Sequence, residues 1–213
     1  MVQMPENPNH WRFQADRGKI LKELVLMIPA VYVAASVNFS IFIFRLLGKG
    51  DPRNRYSGNA GTVNVVRQLG LVWGLVILLL DLGRAGAVAM LGVKLLPAPL
   101  VCVLGFFLVL GNQKPILHGF HGGKGVASYL GFSFVISPFW AGISCLVWIV
   151  VYALVGKPFI GSFFMIAALG LGTMIHYSWS GTVVIGTGLT MALIYLAHKP
   201  NVVAWRRDAI RSK

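Results

Sequence analysis

The chain has 213 residues, of which 56% are hydrophobic and only 12% charged, about half the charged share of an ordinary soluble domain. Several apolar runs approach the roughly 20 residues that a helix needs to cross a hydrocarbon core of about 30 Å, and the short alternating segments of a membrane barrel are missing. The 19 Lys and Arg against 6 Asp and Glu, net +13, leave nucleic acid the weakest candidate partner, because no soluble domain or recognition helix remains to carry it.

The pattern predicts an all-α, polytopic integral membrane protein. Residues 1–23, with Pro5, Pro8, Trp11 and mixed charges, lack the apolar core and cleavage site of a signal peptide and are read as a retained extension, in part an interfacial helix. Residues 24–213 form one transmembrane domain. Its apolar segments run Leu24 to Leu47, Leu71 to Val93, Pro97 to Leu110, Val126 to Ser137, Pro138 to Val155, Ile160 to His176 and Thr182 to Ala197. The split at Ser137-Pro138 follows from the excessive length of the run and from proline's inability to continue a helix. About seven spans place the termini on opposite sides and the odd-numbered loops on one face. That face holds Arg45, Lys49, Arg53, Arg55, Arg67, Lys114, Lys124, Lys157, Lys199, Arg206, Arg207, Arg211 and Lys213. The inside preference of Lys and Arg makes it cytoplasmic and the N-terminus external.

Within the spans, Asp81 and Arg84 stand three residues apart and are expected to form a structural ion pair, with a proton relay as the alternative reading. Ser36 and Asn38 are read as helix-packing polar residues. Cys102 and Cys145 lie in apolar runs and are expected as buried free thiols. His118 and His121 have no cysteine or carboxylate nearby, so no metal site is expected.

Three stretches on the basic face carry chemistry. In the first loop, Gly58 and Gly61 permit close backbone approach, Ser57, Asn59 and Asn64 offer hydrogen bonds, and Arg67 offers a fork for phosphate. This is a phosphate cradle or else a polar connecting loop built of turn residues. In the second, Gly122-Gly123-Lys124-Gly125 sets a cation at a helix start, where the dipole opposes it, which favours a bound anion. The stretch lacks the spacing of a nucleotide-binding loop. In the third, His198 and Asn201 follow the last span. His198 is placed to donate to phosphate or to accept a hydroxyl proton, while Trp205 and the following arginines also suit an interface anchor on acidic lipid.

Together, Ser57-Gly-Asn-Ala-Gly-x-x-Asn-x-x-Arg67, Gly122-Gly-Lys-Gly-Val-Ala127 and His198-x-x-Asn201 resemble the bacterial membrane family of acylphosphate-dependent glycerol-3-phosphate acyltransferases (PlsY type), over about Val31 to Arg207. The resemblance implies seven spans, an external N-terminus and cytoplasmic active-site loops at the cell (plasma or inner) membrane. It implies transfer of a fatty acyl group from acyl phosphate to the 1-hydroxyl of glycerol 3-phosphate, giving lysophosphatidic acid, the first step of phospholipid synthesis. The phosphate-binding set that it implies is Ser57, Gly58, Asn59, Asn64, Arg67, Gly123, Lys124, Ser162, His198 and Asn201, with Ser57, Lys124 and His198 catalytic. No cofactor, metal or obligate protein partner is implied. Tyr56 stands where the family usually has glycine, Thr62-Val63 replaces Ala-Thr, Asn112 replaces histidine, Arg84 replaces lysine and Lys199-Pro200 replaces Arg-Glu. A transporter or channel for an anionic solute is the competing reading. It predicts a path of intramembrane polar residues, and few are present.

Overall fold

The structure, a computed structural model, describes residues 8–211, with side chains from residue 17 onward except those of 209 and 211. The expectations placed on Pro5, Trp11, Arg211 and Lys213 therefore lie outside the described residues or side chains. All regular structure among the described residues is helical: α1 (Pro8–Ala35), α2 (Phe39–Leu46), α3 (Thr62–Leu69), α4 (Leu71–Leu95), α5 (Ala98–Gln113), α6 (Val126–Ile136), α7 (Pro138–Val155), α8 (Pro158–His176), α9 (Gly181–Ala197) and α10 (Lys199–Arg211). Among the described residues, six segments are long and apolar enough to cross a membrane: Arg17–Leu46, Leu71–Leu95, Ala98–His118, Pro138–Val155, Pro158–His176 and Gly181–Asp208.

The seventh expected span is α6, with 11 residues and so a length of only about 16 Å. A helix that short cannot satisfy the thickness of a bilayer by itself, and it is buried accordingly. Ser128, Tyr129, Leu130, Gly131, Phe132, Ser133 and Ile136 are all enclosed. It ends at the expected break, where Ser137 closes α6 by donating its N–H to the Ser133 carbonyl at 2.8 Å and Pro138 opens α7. Close approach is bought with small residues: a Cβ on Gly131 would lie 2.5 Å from the Leu82 carbonyl oxygen of α4, and one on Gly186 would lie 3.1 Å from the Cys102 carbonyl oxygen of α5.

The first span is not continuous. Helix α1 carries through residue 23 into the span, then breaks at residues 36–38 before α2 begins. Ser36 and Asn38 thus differ from their expected packing role. Asn38 is extended (φ −96°, ψ 106°) and caps α2 by accepting the Ile41 N–H. Opposite the break, Asp81 and Arg84 form the expected pair at 3.1 Å, both nearly buried. Cys102 is buried and Cys145 half-buried, and both are free thiols.

Candidate functional site

The turns at one end of the helices enclose a cavity of about 810 Å3, lined by the connection from α2 through α3 to α4, the α5–α6 loop, the start of α8 and the first residues of α10. The first of these walls is built from the sequence upward. Asp51 accepts the N–H of Arg53 at 2.9 Å, opening a short turn at Pro52–Asn54, and it pairs with the Arg53 guanidinium at 2.6 Å. The Arg53 hydrogen bond holds the Asp51 carboxyl below its ordinary pKa, against burial, which acts the other way. The remaining Arg53 donor reaches across to the carbonyls of His118 at 3.0 Å and His121 at 2.6 Å, strapping the first loop to the second.

Asn64, buried in α3, spends its side chain on the loop. Its amide nitrogen donates to the Pro52 carbonyl at 2.8 Å and the Arg55 carbonyl at 3.3 Å, and its oxygen accepts the Ser57 N–H at 3.4 Å. The turn between them needs left-handed backbone at Tyr56 (φ 53°) and Gly58 (φ 64°). Tyr56 thus adopts the left-handed backbone that glycine takes most easily, and Gly58 shapes the turn while staying off the cavity wall. Helix α3 begins after Gly61 with no side-chain cap, which leaves its first amides without an intrahelical acceptor beside the cavity. Arg67, in the last turn of α3, is exposed and has no hydrogen-bond or ion-pair partner among the described residues.

The second wall follows α5. Gly122 and Gly123 donate their N–H groups to the carbonyls of Gln113 at 3.1 Å and Asn112 at 3.0 Å. A Cβ on Gly122 would overlap the Asn112 carbonyl oxygen and sit 2.8 Å from the Pro115 ring, and one on Gly123 would lie 2.8 Å from Asn112 Oδ1. Gly125 turns the chain through φ 82° into α6. Gln113 pins the loop by donating to the carbonyls of Lys124 at 2.9 Å and Leu193 at 3.2 Å. Lys124 Nζ donates to Asn201 Oδ1 at 2.6 Å. Burial, with Arg67 nearby as the second cause, pulls its amine down to about 8.

His198 closes α9, buried, with Nδ1 2.8 Å from the Ile194 carbonyl oxygen. A carbonyl can only accept, so Nδ1 carries the proton and Nε2 keeps its lone pair. On α8, Ser162 Oγ donates to the Pro158 carbonyl at 3.1 Å and accepts Trp148 Nε1–H at 3.4 Å.

Ser57, Asn59, Asn64, Arg67, Gly123, Lys124, Ser162, His198 and Asn201 thus face one cavity. Lys157, Asp81, Ser128, Trp148 and Asp208, which the sequence pattern does not single out as site residues, line it too. Lys157 could have been found from its loop, which shares the basic face by span parity. Leu78, Leu130, Cys145, Trp148, Ile149 and Met165 form an apolar wall that continues from the polar end. The histidines of the second loop point to separate partners, His118 Nε2 accepting the Asn38 N–H and His121 Nδ1 lying against the Gly119 carbonyl.

The family model for glycerol-3-phosphate acyltransferase matches residues 25–207. The chain belongs to the glycerol-3-phosphate acyltransferase family. Relatives of that name include a protein of Thiobacillus denitrificans, 33% identical over 84% of this chain and 92% of its own, and one of Neisseria meningitidis serogroup B, 32% identical over 83% and 92%. Among solved structures, PlsY, an integral membrane glycerol 3-phosphate acyltransferase, is similar in its glycerol 3-phosphate form with a TM-score of 0.82 and 29% identity, covering 87% of this chain and 93% of that one. In its lysophosphatidic acid form the TM-score is 0.78. This chain is accordingly an integral membrane member of the family, and the three stretches singled out in its sequence converge on the cavity.

Proposed function

We propose that this chain transfers a fatty acyl group from acyl phosphate to the 1-hydroxyl of glycerol 3-phosphate, releasing lysophosphatidic acid and inorganic phosphate at the cytoplasmic face of the cell (plasma or inner) membrane. The observation that carries this reading is the make-up of the cavity: the cations Arg67, Lys124 and Lys157, with loop amides and an uncapped helix start at one end, and an apolar wall leading away from them. Such a space suits two phosphate heads and one acyl chain. The excess of Lys and Arg in the connections at this end supports a cytoplasmic orientation, with the N-terminus outside.

In this reading Ser57, Asn59, Arg67 and the amides after Gly61 receive one phosphate, with Gly58, whose N–H is held by the Arg55 carbonyl, shaping the turn and Asn64 acting through the Ser57 amide it holds. Gly123, Lys124, Ser162, His198 and Asn201 serve the other. The acceptor's hydroxyl oxygen attacks the acyl carbonyl carbon, the carbonyl oxygen gains negative charge, and the carbon–oxygen bond to phosphate then breaks, the electron pair leaving with phosphate. An acyl phosphate is already activated, so the protein's contribution is positioning and the offset of negative charge. The hydroxyl proton passes to a phosphate oxygen or to His198 Nε2, the one ring nitrogen left free to accept it. The step needs no cofactor, metal or protein partner.

Purified protein incubated with acyl phosphate and glycerol 3-phosphate is expected to release phosphate and lysophosphatidic acid in equal amounts, and to give neither with acyl-coenzyme A. Product from acyl-coenzyme A alone would overturn the donor, and no product from either donor would overturn the reading.

A further inference from the structure

A helix broken at membrane depth leaves backbone groups without partners, and lipid cannot satisfy them. At the break between α1 and α2 these groups, and the polar side chains beside them, are spent on the two site loops. Asn38 Oδ1 accepts the Ile41 N–H at 3.1 Å, which starts α2, while Asn38 Nδ2 donates to the Ala60 carbonyl of the first loop at 3.2 Å. The Asn38 N–H donates to His118 Nε2 of the second loop at 3.3 Å, and Ser36 Oγ accepts the Ile116 N–H at 3.4 Å.

The break itself is gripped from α4. Arg84 donates to the carbonyls of Ala35, at 3.3 Å, and Val37, and its other terminal nitrogen donates to Asp81 at 3.1 Å and to Ser128 Oγ at 3.0 Å. Its planar fork lets one buried cation serve four acceptors on three helices and the break, which an ammonium on a flexible stem does poorly. Ser128 lies in the first turn of α6, four residues after Lys124. Asn38 thus joins three things at one point: the start of α2, the carbonyl between Asn59 and Gly61, and the second loop.

We propose that Asn38 is a positioning residue for the bound phosphate, holding the first loop in register with the second across the interrupted first span, while Arg84 fixes the break. The proposal rests on the phosphate-binding reading above. Asn38→Asp separates this role from helix capping, because aspartate keeps the acceptor that starts α2, loses the donor to Ala60 and sets a carboxylate oxygen against that carbonyl.

In detergent, Asn38→Asp is expected to melt below the wild-type temperature, because it buries a carboxylate against a carbonyl, and to raise KM for glycerol 3-phosphate by about tenfold, with a smaller change in kcat. Amide exchange should quicken in residues 57–62 and stay unchanged in 39–46. Asn38→Ala, which loses both contacts, should quicken exchange in both segments. Unchanged KM and unchanged exchange in 57–62 for Asn38→Asp would overturn the proposal, as would equal destabilisation by both variants with KM unaltered. Exchange needs no turnover, so an inactive wild-type protein would sink the acyl-transfer reading and leave the exchange result to decide the role of Asn38.

Discussion

The loop from Asp51 to Gly61 is held by side chains, whereas the loop from Lys114 to Gly125 is held largely by how near its backbone lies to α5. In the first, Asn64, Asn38 and Arg53 each satisfy carbonyls or amides that would otherwise be unpaired. In the second, Gly122 and Gly123 bond to the carbonyls of α5 at a range that excludes a Cβ. A side-chain brace can be removed one bond at a time, and water can replace part of what is lost. A steric fit fails all at once. The two loops should therefore respond differently to substitution, the first by degrees and the second abruptly.

Gly122→Ala tests the abrupt case. Its Cβ meets the Asn112 carbonyl and the Pro115 ring, so the Lys124 loop must move, and kcat/KM is expected to fall by about 100-fold or more in protein that still purifies as a single species. Asn64→Ala tests the graded case: it strands the Ser57 N–H and takes one of two donors from the Pro52 carbonyl, which keeps the Gln68 amide at 2.9 Å. The expected cost is about 1–3 kcal/mol of stability by thermal melting, with about a tenfold loss of turnover. Arg53→Lys keeps the charge opposite Asp51 but cannot reproduce the fork to His118 and His121. A drop of only about two- to fivefold in kcat/KM is expected, because a partly exposed pair contributes little. Equal effects of Gly122→Ala and Arg53→Lys in kinetic assays would erase the distinction between the loops.

The smallest expected effect is on pH dependence, and it belongs to the second loop. Lys124 must be protonated to hold a phosphate, and burial lowers its amine to about 8. Activity at limiting substrate should therefore fall as pH rises through about 8. Bound phosphate favours the charged amine, so the limb at saturating substrate should lie higher. Lys124→Arg should lose the limb in whatever activity it keeps; a limb that persists in that variant assigns it to another group.

Much of the architecture was legible because its causes are local. Long apolar runs separated by Gly, Pro and charge specify helices across a membrane, and Ser137-Pro138 marks its own break. The motif residues were legible only as candidates, since glycine beside cation and asparagine suits a phosphate cradle and a polar connecting turn alike. What could not be read was how the side chains are spent. Asn64 looks like a phosphate ligand in sequence, yet its amide is consumed by Pro52 and Arg55, atoms 12 and 9 positions away. Ser36 and Asn38 looked like packing residues because nothing nearby in sequence announces a break; its partners are Ala60, Ile116, His118 and Arg84. Those contacts exist only once α1, α4 and the two loops have met.

The central claim is that Arg67 and Lys124 each hold a phosphate in this cavity, and the most direct test is turnover of acyl phosphate and glycerol 3-phosphate by Arg67→Ala and Lys124→Ala, each checked for folding by thermal melting. Both variants are expected to stay folded and to lose turnover by at least about 100-fold, because each leaves a phosphate charge unmatched in the transition state. Near-normal rates in both would contradict it.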